Sequence, residues 1–233
     1  MILITGITKG IGRAIAEKFA KQGYNIVGCA RNRGELMAFK HEMETQYSIT
    51  CEVQSADLSQ PQDLEYFIEF VQNLPQKPQV IVHNAALFQF SSIIEEDESL
   101  LSSMLHTNLF SAYQLSKAIL PDMIAQRKGH IFTICSSVIY QPRKNMGSYG
   151  ISKFALYGMT KLLREELKPH GVKVTAVMAG STFTNSWADS GVDPDRLVDA
   201  KDIADAIFAA FLQSPNSVTE EICIRPQEGD FEE

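Results

Sequence analysis

The chain has 233 residues, of which 45% are hydrophobic, so it is long and apolar enough to bury a full core. Its net charge of −7 and pI near 5.3 argue against nucleic acid or an anionic membrane as a partner, and no apolar stretch approaches the roughly 20 residues of a membrane span. The four scattered cysteines lack the spacing of a metal site, which predicts reduced core thiols in a cytoplasmic protein.

Short runs rich in β-branched residues alternate with longer amphipathic segments along the chain. The runs predict seven strands, at 2–5, 24–30, 48–53, 79–83, 130–135, 172–178 and 220–224. The segments between them predict helices, at about 10–22, 33–45, 60–73, 99–126, 149–168 and 201–213. Several runs lack in/out alternation, as parallel strands covered on both faces do. The pattern favours one domain over 1–233: an α/β fold with a doubly wound, seven-stranded parallel sheet flanked by helices.

Three glycines, Gly6, Gly10 and Gly12, stand between the first strand and the first helix. Glycine lets the backbone approach a ligand closely, and a helix N-terminus offers unpaired N–H groups and a partial positive charge. Together these features favour a phosphate cradle. The spacing departs from the G-x-G-x-x-G form of many dinucleotide-binding proteins, so for this loop alone an ordinary glycine-rich turn stays an alternative.

A second group of residues carries acid–base chemistry. Tyr149 and Lys153 stand four residues apart at a helix start, which places them on one face and one turn from each other. Such a pair is common by chance. Ser136 strengthens it, because it follows the fifth strand at the sheet edge where doubly wound folds bind ligands.

From Ile2 to about Ile224 the chain resembles the classical short-chain dehydrogenase/reductase family. Five motifs carry the resemblance, in order: Thr5 to Gly12 as T-G-x-x-x-G-[IV]-G, the pair Asp57-Leu58, Asn84-Ala85-Ala86 as the family's N-A-G, Asn108 as its fourth catalytic residue, and Ser136, Tyr149 and Lys153 as its triad. Two residues depart from the pattern. Ala86 replaces a glycine, and Ala179 replaces the usual proline after the sixth strand, which leaves that loop less rigid.

The resemblance implies a Rossmann fold and reversible hydride transfer between a nicotinamide and a carbonyl or secondary alcohol, for instance a 3-oxoacyl thioester or a small ketone or diketone. Reduction leaves negative charge on the carbonyl oxygen, so a proton donor is needed. Tyr149 is the expected donor, with its pKa lowered by the nearby ammonium of Lys153, and Ser136 is expected to hold the oxygen. The resemblance further implies that Lys153 holds the nicotinamide ribose and that Asn108 supports a water-linked proton path.

The expected cofactor is NADP(H) rather than NAD(H). A dinucleotide fold that prefers NAD places a carboxylate at the end of the second strand, whereas this strand ends in Arg31 with no acid, and Lys9 adds a second cation. Solvated surface charges are the alternative for both. The expected cofactor-binding residues are Gly6, Thr8, Lys9, Gly10, Ile11, Gly12, Arg31, Asp57, Leu58, Asn84, Ala85, Ala86, Tyr149, Lys153, Gly180, Thr182 and Thr184, and no metal site is expected.

Other features are given simpler interpretations. His83 is expected to be a packed core histidine, the charge runs 94–99 and 164–167 to be solvated helix faces or helix starts, and 227–233 to be a short tail. Phe88 and Phe90 fit a substrate pocket or a covered sheet edge equally well. The segment 181–200, which contains Trp187, occupies the family's variable substrate loop.

Two functions remain open at this stage. One is an NADP-preferring oxidoreductase that acts on a small-molecule carbonyl or alcohol. The other is a non-catalytic dinucleotide-binding regulatory or scaffold protein with the same fold. The resemblance also implies that the helices 99–126 and 149–168 pair between subunits, giving a homodimer or homotetramer.

Overall fold

A computed structural model of the chain describes residues 1–184 and 191–230. It contains one sheet of seven parallel strands in the order β3-β2-β1-β4-β5-β6-β7. The strands are β1 (Ile2–Thr5), β2 (Ile26–Ala30), β3 (Cys51–Ser55), β4 (Val80–His83), β5 (Gly129–Ile134), β6 (Val172–Ala179) and β7 (Glu221–Ile224). The predicted fold class is therefore confirmed, while the prediction of one domain over the whole chain stays a prediction.

The helices that flank the sheet are α1 (Gly10–Ala20), α2 (Arg33–Tyr47), α3 (Pro61–Asn73), α4 (Glu98–Leu105), α5 (Ser111–Gln126), α6 (Gly147–Leu167) and α7 (Ala200–Phe211). They cover both faces of the sheet. Ile4 packs in a core formed with α1, α2 and α7, and its neighbour Leu3 packs in a second core with α3 and α5. Because successive strand residues point to opposite faces, the five inner strands contribute apolar side chains to both cores, whereas β3 and β7 at the sheet edges contribute only to the first.

The strand order reverses at β1, which pairs with β2 on one side and β4 on the other. The connections therefore leave this point in opposite directions, and a crevice opens beyond the carboxyl ends of these strands.

Three local predictions are corrected. The third strand runs from Cys51 to Ser55 rather than over 48–53, because Ser48 ends α2 in the left-handed conformation. The predicted helix 99–126 is divided, since a π-helical segment, His106–Phe110, joins α4 to α5. Cys223 is exposed on β7, at the edge of the sheet, whereas the other three cysteines are buried as expected; all four are free thiols.

Candidate active site

A cleft of about 870 Å³ lies at the carboxyl edge of the sheet, in the crevice beside β1. The segments that follow β1 to β6 all contribute to its walls. Most predicted site residues line it: Gly6, Thr8, Lys9, Gly10, Ile11, Arg31, Asp57, Leu58, Asn84, Ala85, Ala86, Ser136, Tyr149, Lys153, Gly180, Thr182 and Thr184. Gly12 and Asn108 are not among the lining residues, although both contact residues that are.

The glycine loop forms a cradle that a side chain would fill. A Cβ on Gly12 would lie 2.3 Å from the carbonyl oxygen of Gly6 and 2.5 Å from Nδ2 of Asn84. Helix α1 begins at Gly10, with no capping hydrogen bond from the Lys9 side chain and no acidic residue in its first turn. Its first N–H groups are therefore available to an anion, and the cradle fits the diphosphate of a dinucleotide.

Asn84 fastens the end of β4 to the glycine loop. Its Nδ2 donates to the carbonyl oxygens of Thr5 (2.8 Å) and Gly6 (3.0 Å). The backbone N–H groups of Asn84 and Ala85 both donate to the Thr5 hydroxyl, at 3.0 Å each. Asn84 therefore shapes the cradle through these bonds, in addition to lining the cleft.

Asn108 lies in the π-helical segment and is buried. Its Oδ1 accepts the Leu87 N–H (2.7 Å), while its Nδ2 donates to the Leu87 carbonyl (3.0 Å) and to the Ser152 hydroxyl (2.8 Å). π-Bulges often occur at functional sites, and here the bulge brings this amide between the loop after β4 and helix α6. The structure thus shows that Asn108 joins the loop after β4 to helix α6. The water-linked proton path stays a prediction.

Lys153 is buried on α6, one turn after Tyr149. Its Nζ donates to the Ile134 carbonyl at 2.8 Å and lies 5.6 Å from the centroid of the Tyr149 ring. Burial lowers the pKa of Lys153 to about 8. The two side chains therefore share one wall of the cleft, as the four-residue spacing predicts.

The expected lowering of the Tyr149 pKa is wrong for the protein without bound ligands. Burial raises the pKa of Tyr149 to about 12, and the hydrogen bond from Ser136 opposes this only in part. The physical reason is that desolvation disfavours the phenolate more strongly than the neighbouring donors stabilise it. At neutral pH Tyr149 is therefore a phenol, the form that donates a proton.

Ser136 lies directly beyond the end of β5, where the chain enters a short 3₁₀ turn, Ser137–Ile139. Its hydroxyl accepts the N–H of Val138 at 3.3 Å, which caps that turn. The side chain is buried and lines the same cleft as Tyr149. The capping bond uses the oxygen only as an acceptor, so the one hydroxyl proton serves the hydrogen bond to Tyr149 and can rotate toward a ligand in the cleft.

The structure decides between the two interpretations of Phe88. Its ring packs edge-to-face on the Tyr149 ring, with centroids 4.7 Å apart and an interplanar angle of 88°, and it lines the cleft. Phe90 packs edge-to-face on Phe88 from outside the cleft. Phe88 is thus a cleft residue, and Phe90 supports it.

The charge run 94–99 contains the predicted helix start, since Asp97 caps α4, and Glu96 in addition contacts the first turn of α6. Its carboxylate accepts the Ser148 N–H (3.1 Å) and hydroxyl, and also the Ser91 hydroxyl (2.5 Å). A carboxylate at a helix N-terminus is favourable. Since Tyr149 follows Ser148 directly, Glu96 fixes the start of the helix that carries the proposed proton donor.

The end of the cleft beyond β2 holds both cations predicted for the cofactor phosphate. Arg31 is exposed there, while Nζ of Lys9 forms a 2.8 Å ion pair with Glu35. The expectation that no acid occupies this place is therefore corrected. Glu35 lies five residues beyond the strand end, in the first turn of α2, so inspection of the strand end alone misses it.

Asp57 and Leu58 line the cleft after β3, but the Asp57 carboxylate is engaged locally. It accepts the Ser59 N–H (3.0 Å) and the Ser59 hydroxyl (2.8 Å), and so closes the turn before α3. Leu58 is buried and presents an apolar surface. The adenine contact that the resemblance implies for this pair stays a prediction.

The segment after β6 lies across the glycine loop. A Cβ on Gly10 would lie 2.9 Å from the Thr184 methyl group, and the Thr182 hydroxyl donates to the Gly180 carbonyl at 2.8 Å. Thr182 also forms a β-bridge with Val198. These contacts hold the segment although its usual proline is absent. Residues 185–190 of the predicted substrate loop, which include Trp187, lie outside the described residues.

Histidines take no part in the cleft walls. His83 is buried, and its Nε2 lies 2.8 Å from the Ser116 hydroxyl, as expected for a core histidine. Over the described residues no group of histidines, cysteines and carboxylates could hold a metal ion. In the same residues no helix is both long and apolar enough to cross a membrane.

Sequence reasoning missed two further residues, Arg143 and Asp230. Arg143 lines the cleft, donates to the hydroxyl of Ser137 at 3.3 Å, and forms an ion pair with Asp230 at 2.9 Å. No local pattern marks either residue, because the loop that holds Arg143 has no periodicity and Asp230 lies in a segment with the composition of a tail.

Comparison with known proteins agrees with this architecture. Residues 1–194 match the sequence profile of the short chain dehydrogenase family. The chain therefore belongs to that family. It is 28% identical to the sepiapterin reductase of Chlorobaculum tepidum, over 100% of this chain and 98% of the relative. It is also 28% identical to an uncharacterized oxidoreductase of Staphylococcus saprophyticus, over 96% of each chain.

Solved structures give the same result. A short-chain dehydrogenase from Sphingobium yanoikuyae in complex with NADPH matches with a TM-score of 0.86 and 25% identity, over 95% of this chain and 86% of that one. A metagenomic short-chain oxidoreductase in complex with NADP matches with a TM-score of 0.83 and 29% identity, over 97% of each chain. These neighbours support a nicotinamide dinucleotide as the cofactor.

Proposed function

We propose that this protein is an NADP(H)-dependent oxidoreductase that interconverts a carbonyl compound and a secondary alcohol. One observation carries the proposal: Ser136, Tyr149 and Lys153 line a single cleft together with the glycine cradle. A dinucleotide bound in that cradle supplies or accepts the hydride. The remaining chemistry is assigned to the chain's own side chains.

Tyr149 is the proposed proton donor for reduction. Burial keeps it protonated at neutral pH, and its ring packs edge-to-face with the Phe88 ring. Ser136 offers a hydroxyl hydrogen to the carbonyl oxygen as negative charge develops there. Lys153 holds the end of β5 in place through Ile134 and presents its charge near the Tyr149 ring, where the resemblance places the ribose.

The preference for NADP(H) over NAD(H) is proposed from the cations beyond β2. The described residues show no side-chain partner for Arg31, so its guanidinium can meet a 2′-phosphate with two parallel hydrogen bonds. Lys9 is the second cation at this end, although Glu35 competes for it. The two structural neighbours in complex with NADP or NADPH support the same choice.

The function is tested by mixing the purified protein with NADPH or NADH and a panel of carbonyl compounds. The panel contains small diketones, quinones and 3-oxoacyl thioesters, together with sepiapterin because of the similarity to a sepiapterin reductase. Loss of NADPH absorbance that depends on both protein and carbonyl supports the proposal. Binding of NADPH without turnover on any member would favour a non-catalytic dinucleotide-binding protein.

Assembly and location are further parts of the proposal. Helices α5 and α6 and the π-helical segment between α4 and α5 expose large apolar side chains: Phe110, Tyr113, Ile151, Phe154 and Leu162. Pairing of these faces about a two-fold axis would bury them, giving a homodimer or homotetramer. A cytoplasmic location agrees with the four free thiols.

A further inference from the structure

Asp230, near the end of the described chain, has a buried side chain. Only 2% of this side chain is exposed, although the acidic composition predicts a short tail over 227–233. The tail prediction is therefore wrong for this residue. An ionised carboxylate is removed from water only where other groups compensate for its lost hydration.

Three segments of the sheet edge supply that compensation. Oδ1 of Asp230 accepts the backbone N–H of Ser181, after β6, at 2.7 Å. Oδ2 accepts a hydrogen bond of 2.7 Å from Nε of Arg225, which follows β7. The same oxygen forms a 2.9 Å ion pair with Nη2 of Arg143, which follows β5. These contacts hold the pKa of Asp230 below its ordinary value although burial acts in the opposite direction.

Two of these partners belong to the cleft. Arg143 and Ser181 both line it, whereas Asp230 lies behind them outside the lining. Nη2 of Arg143 also donates to the hydroxyl of Ser137, at 3.3 Å, next to the proposed catalytic Ser136. The Asp230 carboxylate thus contacts two cleft residues, Arg143 and Ser181, without lining the cleft itself.

The fit around the carboxylate is close. A Cβ on Gly180 would lie 2.6 Å from Oδ1 of Asp230 and 3.0 Å from Cα of Arg225. Glycine at this position is therefore required for the C-terminal segment to reach the loop after β6. The contact between Asp230 and this loop involves the backbone of Gly180 and Ser181, so it does not depend on flexible side chains alone.

We propose that Asp230 is a positioning residue, which fixes Arg143 beside Ser136 and Ser137 in the cleft and the Gly180–Thr184 segment across the glycine loop. The C-terminal segment, residues 225–230, then supports the cleft wall without lining the cleft. This inference rests on the proposed function, since it concerns the same cleft. Its consequence is that a change at Asp230 alters ligand binding without touching any ligand.

The test uses the full chain with Asp230→Asn, which keeps the shape and one acceptor oxygen but removes the charge. The matched control is Glu228→Gln, which removes an acid two residues earlier whose only described partner is Arg196, outside the cleft lining. For Asp230→Asn we expect the Kd for NADPH and the KM for the carbonyl substrate to rise about tenfold, with kcat changed less than threefold. The control is expected to match the unsubstituted protein.

A double-mutant cycle with Arg143→Met separates positioning from general loss of stability. If Asp230 acts on the substrate through Arg143, the double variant raises KM no further than Arg143→Met alone. Additive effects on KM would overturn the proposal, as would Asp230→Asn behaving like Glu228→Gln. A lower melting temperature with unchanged Kd and KM in the folded protein would also overturn it, since the role would then be structural.

The outcomes distinguish this inference from the proposed function. An unsubstituted protein that binds no NADPH contradicts both. An unsubstituted protein that binds NADPH and reduces a carbonyl, while Asp230→Asn does so equally well, contradicts the positioning role alone.

Discussion

Nζ of Lys153 donates a hydrogen bond of 2.8 Å to the carbonyl oxygen of Ile134, the last residue of β5. Ser136 lies two residues beyond Ile134, and Tyr149 lies one turn before Lys153 on α6. This bond therefore ties the strand end to the helix, which together carry the three proposed catalytic groups. Its donor is the buried ammonium of Lys153, so a loss of that charge also affects the bond between α6 and the end of β5.

Tyr149→Phe is expected to lower turnover by a factor of about 10² or more while NADPH still binds, because the ring stays and only the proton donor is lost. The measurement is kcat in the carbonyl assay, with NADPH affinity from a fluorescence titration. Near-normal turnover in this variant would contradict the role assigned to Tyr149.

Lys153→Met is expected to impair both turnover and NADPH binding, since it removes the charge and the bond to Ile134 together. The pH dependence of NADPH binding tests the same role of the Lys153 ammonium. Burial lowers the pKa of Lys153 to about 8, so the ammonium is present below that pH and is lost as the pH rises through it. NADPH affinity of the unsubstituted protein is therefore expected to fall above pH 8, and this fall is expected to be absent in Lys153→Met. Unchanged NADPH affinity in the variant would refute the double role.

The two buried histidines predict acid sensitivity. Burial lowers the pKa of His83 and of His130 from 6.5 to about 3. Above pH 6.5 both are neutral whether the chain is folded or unfolded. As the pH falls from 6.5 toward 3, only the unfolded chain gains these protons, so stability is lost with a slope of about 1.4 kcal/mol per pH unit for each histidine.

Urea unfolding at a series of pH values measures this slope. His83→Gln is expected to reduce it by about one histidine's share, whereas the exposed His41→Gln is expected to leave it unchanged. Equal slopes for the His83→Gln variant and the unsubstituted protein would show that His83 is protonated in the folded state.

The sequence was sufficient for the sheet and for the residues that follow each strand. Apolar runs and glycine spacing are local signals, and parallel strands bring their carboxyl ends together at one edge. That is why Ser136 and Tyr149, which are thirteen residues apart, could be placed in one site with the glycine loop before the structure was known.

The residues that local patterns missed act through contacts distant in sequence. Glu96 reaches Ser148 across 52 positions, and Asp230 reaches Ser181 across 49. Neither has a periodic neighbour that marks it. The Tyr149 pKa was also predicted with the wrong sign, because a nearby lysine is visible in the sequence whereas the burial that outweighs it is not.

The exposed apolar faces of α5 and α6 predict self-association. Phe154→Glu is expected to shift the assembly toward monomer in sedimentation velocity at micromolar concentration, because it places a charge where an apolar contact is expected. Met37→Glu is the matched control, since Met37 lies on α2 and is also exposed, at 51% against 43% for Phe154. A protein that is monomeric without any substitution would contradict the proposed assembly.

The last prediction concerns the 2′-phosphate of the cofactor. At this end of the cleft Arg31 and Lys9 would attract the phosphate, and Glu35 would repel it. Arg31→Asp replaces attraction by repulsion at the proposed 2′-phosphate position. We expect the KM for NADPH to rise at least about tenfold, roughly 1.4 kcal/mol, while use of NADH is kept or improved. Glu35→Gln should act in the opposite direction, because it releases Lys9 from its ion pair and removes an acid from the same end of the cleft.

Arg33→Asp provides the control for Arg31→Asp, since Arg33 is exposed two residues further on but does not line the cleft. It carries the same change of charge, so a general effect of surface electrostatics would appear in both variants and would fall with added salt in both. A local contact with the phosphate would appear only at Arg31. If the unsubstituted protein binds NADH as tightly as NADPH, or Arg31→Asp keeps the preference for NADPH, the 2′-phosphate is not bound at this end of the cleft.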